Sequence, residues 1–415
     1  MKIFLKLVSL YIALLLFFSL SIICVYHIPQ QYIRENIQQS VKTIDSEGLV
    51  PLMWNTPFYR LDTFTDCLMF NAALCSEDNR AIQSAFINNI YLQNNNDILS
   101  ATKRLLQNNE VKHSVNSYAR YWHGYAIFLR PLLTITDYDG IRIINTITLY
   151  TLYIIITILL YKKRQKQMAI TFFLSTLLIN LYVVAQTIQF STCFYISFIG
   201  MLFIILFPAM VYKNNYILLF FGIGALTSFL DLLTTPLITL GLPLLTFIGI
   251  YISKKRIIKV IISSFSWGIG YSSIWISKWI LSYLITGQNT FASAEQAAIT
   301  RIGRLNIINN IKWSVGIDIH EIMRSSSFYI FLNVLFFILF LLLAYLKSKR
   351  KLNNTLFMKK YNYIIIIATF VPIWFYIMKN HSFVHFWFTW RNIIIPLWCI
   401  LLYFSYLINF KPLNK

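Results

Sequence analysis

Residues 143–166 read IINTITLYTLYIIITILLYKKRQK. The run to Tyr161 carries no charge and is long enough to cross bilayer hydrocarbon, which takes about 20 residues. Lys162, Lys163, Arg164 and Lys166 follow at once. An uncharged apolar run closed by a basic cluster marks a membrane helix whose charged end stays on the cytoplasmic side.

The pattern repeats along the chain. Ten spans are predicted, at roughly 4–26, 143–161, 168–190, 194–212, 216–232, 234–252, 258–283, 327–346, 361–378 and 392–410. Alternate loops carry only basic charge: Lys213, then Lys254, Lys255 and Arg256, then Lys347, Lys349, Arg350, Lys351, Lys359 and Lys360. Of the fifteen acidic residues, eleven lie between His27 and Ile141; Asp231, Glu295, Asp318 and Glu321 map to the same side. The positive-inside rule then places both termini inside. Met1–Tyr26 resembles a signal peptide, but its apolar stretch is long and no small-x-small cleavage site follows. It reads as an uncleaved first helix.

Composition agrees. The chain is 57% hydrophobic and 12% charged. Its net charge of +21 does not point to nucleic acid, because many basic residues sit at helix ends. The Ile, Asn and Lys bias suggests an AT-rich bacterial genome and hence a bacterial plasma membrane. Cys24, Cys193 and Cys399 lie in or beside apolar runs. Cys67 and Cys75 are too far apart on one helix to pair, so all five cysteines are read as unpaired.

The expected fold is all-α: a polytopic bundle with the first helix at 1–26, a helical extracytoplasmic loop at 27–141, and a bundle at 142–415 with a second outer loop at 284–326. Within the first loop, apolar residues at i, i+3 and i+4 predict helices at Tyr32–Ile44, Asp62–Leu74, Asp78–Gln93 and Ser100–Asn108, with a break at Asn94–Asn95–Asn96.

Polar groups at the membrane rim are costly and usually functional. Four clusters stand out on the outer side. In the first, Arg60 to Asn71, Asp62 and Asp66 are four apart. Either carboxylate against apolar surface would have a raised pKa and could act as a general base; Asp62 or Thr65 could equally cap a helix. The second holds Tyr121, Trp122, His123 and Tyr125, then Arg130–Pro131. It reads as a sugar and phosphate site or as an interfacial aromatic belt. The third is Asp231, with Thr235, in the tight turn between two spans. It reads as a functional carboxylate or as a cap. The fourth is His381, His385, Trp387, Thr389 and Arg391 with Lys379 before them, joined by Lys278 near the outer end of its span. These suit an anionic headgroup. The i, i+4 histidines could chelate zinc, but no Glu–Cys set accompanies them and no metal site is expected. Asp137–Tyr138–Asp139 looks like an Asp-x-Asp sugar-nucleotide motif. It lies outside, away from cytosolic nucleotides, and reads as a loop.

The layout resembles the GT-C superfamily of polytopic glycosyltransferases. The matching pieces are Phe64–Thr65–Asp66 in a large first outer loop, Tyr121–Trp122–His123–Gly124–Tyr125 with Arg130–Pro131, and Asp231–Leu232–Leu233–Thr234–Thr235–Pro236. The segments Asn380–His385 and Phe388–Arg391 look like bacterial members found with surface-polysaccharide genes. No large soluble C-terminal domain follows, which leaves the 284–326 loop to bind the acceptor. The resemblance implies transfer of a sugar, with inversion, from a polyprenyl-phosphate donor to a glycan, lipid or protein acceptor on the outer face. Asp66 would be the base, helped by Asp231, and those two could share a divalent cation, as some members do. Asp62, Tyr121, His123, Arg130, Thr235, Lys278, His381, His385 and Arg391 would bind donor or acceptor. The rival readings are an O-antigen-type polymerase or ligase, and a lipid-linked glycan transporter; no repeated halves of the transporter kind are visible.

Overall fold

A computed structural model describes residues 2–55, 59–92, 97–107, 116–252, 254–302 and 354–409. The expected span 327–346, the basic run Lys347 to Lys351, the residues Asp318 and Glu321, and the break Asn94–Asn96 lie outside the described residues. Among the described residues the chain is helical, apart from an antiparallel pair of two-residue strands, Asn89–Ile90 and Asn116–Ser117.

Among the described residues, six segments are long and apolar enough to cross a membrane: α1 (Lys2–Tyr26), α7 (Tyr138–Lys162), α10 (Ile188–Leu206), α13 (Arg256–Thr286), and the stretches Lys360–Ile377 and Phe386–Ile408. Three shorter apolar helices accompany them, α8 (Lys166–Leu178), α11 (Asn215–Leu230) and α12 (Pro236–Tyr251). The expected span 168–190 is broken. Asn180 adopts a left-handed conformation at φ 55°, which asparagine tolerates better than most residues, and the five-residue α9 (Leu181–Ala185) follows. Thr187 is extended and its side chain accepts from Phe190 N at 3.2 Å. That N-cap starts α10 at Ile188, six residues before the expected 194. Pro208 keeps α10 from continuing.

The spans read at 216–232, 234–252 and 258–283 are helices as expected, while one later segment departs from expectation. Residues 379–391, read as a loop, are helical. After α14 (Thr290–Ile302), the described chain resumes with α15 (Asn354–Ala368) and α16 (Phe370–Ile377). Then come α17 (Lys379–Val384), α18 (Phe386–Thr389), a 3-10 turn at Trp390–Ile393 and α19 (Ile394–Asn409).

The first loop folds as a helical cap: α2 (Gln31–Glu47), α3 (Thr63–Leu74), α4 (Ala81–Ile87), α5 (Ile98–Gln107) and α6 (Ala126–Leu133). Ile33, Ile37, Val41 and Ile44 form the buried stripe of α2, the 3–4 spacing of an amphipathic helix. The third helix is shorter than read, because left-handed Asn88 (φ 50°) closes α4 and sends the chain into the strand pair. The cap is not a separate domain. Its core, around Ile37, Phe70 and Trp122, is continuous with Phe18 of α1, Tyr138 of α7, Phe229 of α11 and Ile274 of α13. A second core around Phe172, Phe198, Leu245 and Trp398 fills the bundle.

Two glycines bring α11 against α13. A Cβ on Gly224 would lie 2.0 Å from the Trp267 carbonyl oxygen, and one on Gly270 would lie 2.1 Å from that of Phe221. Small residues let membrane helices pack backbone to backbone where lipid supplies no hydrophobic drive.

Candidate functional site

Asp66 sits in the first turn of α3 and is wholly buried. Its carboxylate accepts from the Tyr138 hydroxyl at 2.5 Å, Ile188 N at 2.9 Å and Gln189 N at 3.1 Å. Those two amides belong to the first turn of α10, whose N–H groups lack helical partners and carry the positive end of the helix dipole. A cap helix therefore caps a bundle helix. Arg142 stiffens the joint from α7: its guanidinium lies 4.0 Å from the centre of the Tyr138 ring, bonds both Glu47 oxygens at 2.7 Å, and donates to the Gln186 carbonyl at 2.9 Å.

Burial pushes the Asp66 pKa up to about 7, against the lowering pull of its three donors. A carboxyl whose folded pKa exceeds the unfolded 3.8 favours the fold when protonated. That contribution is full below about 3.8 and is lost as pH rises through about 7. Wild type is thus expected to lose thermal stability relative to Asp66→Asn between about pH 4 and 7, by at most on the order of 4 kcal/mol. Melting curves of the two purified proteins across that range check it; parallel curves would contradict it.

Three residues read as ligand-binding are instead engaged by the fold. Arg130, fully buried, donates to the carbonyls of Val25 (2.9 Å), Ile28 (2.6 Å) and Ala73 (3.0 Å), and to Ser76 Oγ (3.2 Å). It ties the ends of α1 and α3 together. Lys278, also fully buried, donates to the last carbonyls of α4, Ala85 (3.3 Å) and Phe86 (2.9 Å), and to Asn88 Oδ1 (2.9 Å). A cation at a helix C-terminus satisfies orphan carbonyls and the dipole together, so Lys278 needs no carboxylate. His123 adopts φ 55° and is held by Tyr118 O and Tyr125 Oη, both at 2.9 Å. Burial lowers its pKa to about 3, so it is neutral. Beside it, Trp122 donates to Ile274 O at 2.7 Å and Gly124 N to Phe229 O at 3.0 Å. The aromatic motif is the wedge that seats the cap on α11 and α13.

The remaining candidates converge on one polar cluster at the cap end of the bundle. Asp231 closes α11, and both its oxygens accept from Thr234 N, at 3.0 and 2.9 Å. Cys193 of α10 interacts with Asp231 and Thr235. Leu233 in this turn has φ 69°, strained for a branched side chain, and its carbonyl receives His381 Nε2 at 2.8 Å. The His381 and His385 rings are 4.9 Å apart, and His385 lies 5.3 Å from Trp387. Arg391 donates to Trp387 O at 2.5 Å and covers the Phe190 ring at 4.1 Å. Arg60 covers Trp387 from the cap at 4.3 Å. Asp62 N-caps α3 through Thr65 N at 3.1 Å and Thr65 Oγ1 at 3.0 Å, and Arg60 and Trp387 both draw on its carboxylate. Arg301 of α14 acts on both histidines and donates to the Tyr121 hydroxyl at 2.5 Å.

Gln189 and Arg301 were missed by sequence reading, since each is one polar residue in an otherwise unremarked helix. Gln189 Oε1, Ser228 Oγ, Thr234 Oγ1, His381 Nδ1, Ser382 Oγ and His385 Nδ1 are buried without a hydrogen-bond partner among the described residues. Native folds leave few such atoms, so their concentration here marks a place for a polar ligand. No three His, Cys, Asp or Glu side chains converge as a metal site among the described residues. Asp66, ringed by N–H and O–H donors, has the surroundings of an anion rather than of a cation ligand.

On the other side of the start of α10 lies an apolar cavity of about 860 Å³ between α1, α7, α10 and α11. Leu10, Ile144, Ile199 and Leu226 line it; Ile188 and Leu230 border it at the cap end, and Lys6 and Asn215 at the other. Ile188 and Leu230 adjoin Gln189 and Asp231 in sequence, so only the first turn of α10 and the end of α11 separate cavity from polar cluster. Compared with known protein families, curated proteins and solved structures, the chain matches none.

Proposed function

We propose that this protein is a membrane glycosyltransferase, similar in layout to the GT-C superfamily. It moves a sugar from a polyprenyl-phosphate donor to a surface glycan, lipid or protein acceptor. The cap faces the outside of a bacterial plasma membrane, both termini lie inside, and ten spans cross the bilayer. The observation that carries this reading is the convergence of Arg60 on Asp62 and of Arg301 on His381 and His385, with Arg391 over Phe190 and the Asp231 turn bound to His381, around buried polar atoms without hydrogen-bond partners among the described residues. Arginines suit a phosphate; carboxylates and uncharged polar atoms suit sugar hydroxyls. The neighbouring cavity adds support, because a groove lined mostly by apolar side chains stays dry along them and suits a lipid chain.

Asp231 is the proposed base in preference to Asp66. Its carboxylate closes the turn whose Leu233 carbonyl receives His381, inside the cluster, whereas Asp66 lies against the start of α10 and is held there by three donors. Asp231 takes the proton of an acceptor hydroxyl. The hydroxyl oxygen bonds to the anomeric carbon as the bond from that carbon to phosphate oxygen breaks. The electron pair leaves with polyprenyl phosphate, whose charge Arg391, Arg60 and Arg301 stabilise. The test compares surface glycans and lipid-linked sugars of cells with and without the gene. The reading requires loss of one glycan substituent and build-up of its donor; unchanged sugar on the glycan with the lipid carrier trapped in the wrong leaflet would favour transport instead.

A further inference from the structure

The histidine pair has a chemistry of its own. Leu233 O can only accept, so the 2.8 Å contact fixes the proton of His381 on Nε2. Nδ1 of a neutral ring then carries a lone pair, and that atom is buried without a partner among the described residues, in a residue only 4% exposed. Nδ1 of His385, on a ring 4.9 Å away, is also unpartnered. The surroundings keep both rings uncharged: burial, then His385, then Arg301 lowers His381 to about 3, and burial, then Arg301, lowers His385 to about 4.

A neutral acceptor offers a phosphate nothing, since both partners would present lone pairs. A cation is disfavoured by Arg301 alongside, and zinc needs three or four protein ligands, where no third His, Cys, Asp or Glu joins these two rings among the described residues. A hydroxyl fits, because it brings the missing proton.

We propose that His381 is the hydroxyl anchor of a sugar subsite, its Nδ1 accepting a hydrogen bond from a ring hydroxyl while Leu233 O holds its Nε2–H. This rests on the transferase reading for which sugar enters, but not for the anchor itself. It also separates the cluster into two halves, with arginines for phosphate and histidines for sugar. The strained Leu233 has a role in this scheme, since its left-handed backbone presents the carbonyl that sets the tautomer.

The chain has only six histidines, so imidazole ¹⁵N NMR of the full-length protein can resolve them, with His381 assigned by the signal lost in His381→Gln. The probe is an alkyl glucoside detergent, exchanged against a sugar-free amine-oxide detergent at pH 7. The expected result is a neutral ring protonated at Nε2, whose Nδ1 resonance moves toward the protonated position only in the glucoside and does not move with added undecaprenyl phosphate. A ring protonated at Nδ1, an Nδ1 resonance identical in both detergents, or a resonance shifted by stoichiometric bound zinc would each overturn the proposal. His381→Asn, whose amide oxygen reaches near the Nδ1 position, should retain more sugar transfer in cells than His381→Gln. Glycans unchanged by deletion of the gene would remove the transferase reading and leave the NMR result to decide the anchor.

Discussion

Arg130→Ala is expected to be the most destabilising single change in the cap. The side chain is fully buried and satisfies three backbone carbonyls and Ser76 Oγ. Deleting it orphans Ile28 O, at about 1–3 kcal/mol where water cannot reach it, and takes a donor from Val25 O, Ala73 O and Ser76 Oγ, which keep Ile28 N, Ser76 Oγ and Gln30 Nε2. The expected total is about 3–5 kcal/mol, the usual cost of removing one partner from a buried charged network. Melting of the detergent-purified protein should drop by about 5 °C. Arg130→Lys, with one compact donor group in place of a planar fork, should recover less than half of the loss. A melting point within about 2 °C of wild type would show that α1 and α3 are not tied here.

Arg391→Ala is expected to act on function rather than on folding. Its guanidinium rests on Phe190 and donates to Trp387 O, where the proposed leaving phosphate gathers charge. Loss of one preorganised donor to developing negative charge costs about 10²–10³ in rate. Sugar transfer in membrane vesicles should fall about a hundredfold in Arg391→Ala, with protein levels close to wild type, and recover partly in Arg391→Lys. Near-normal transfer would move the phosphate to Arg60 and Arg301.

Much of this architecture was legible in the residues. Apolar runs and basic clusters gave the long helices, and 3–4 periodicity gave the cap, because burial in lipid or against a core requires those patterns. The start of α10 was not legible. Thr187 capping Phe190 N and left-handed Asn180 lie inside a continuously apolar stretch, where hydropathy does not change. Among site residues, the charged and aromatic clusters were found, but duties within them were not. Arg130 and Lys278 spend their polar atoms on carbonyls from segments distant in sequence, such as Val25 and Ala85, and His123 spends its own on Tyr118 and Tyr125 in its own loop. A residue type tells what it can bind; only the fold tells whether a carbonyl has reached it first. Asp66 illustrates the same point: capping was expected of Asp62 within its own helix, and Asp62 does cap α3, while Asp66 caps a helix more than a hundred residues away in sequence.

The measurement that bears most directly on the central claim compares surface glycans and polyprenyl-phosphate sugars in wild-type, deletion, Asp231→Asn and Asp66→Asn strains, with membrane levels of the protein quantified. The account predicts that deletion and Asp231→Asn lose the same glycan substituent while its lipid-linked donor accumulates, with Asp231→Asn present at normal level. Asp66→Asn should follow its own protein level, as a joint between cap and bundle would. Glycans identical to wild type in the deletion strain would contradict the transferase; full loss in Asp66→Asn at normal protein level, with Asp231→Asn active, would return the base to Asp66.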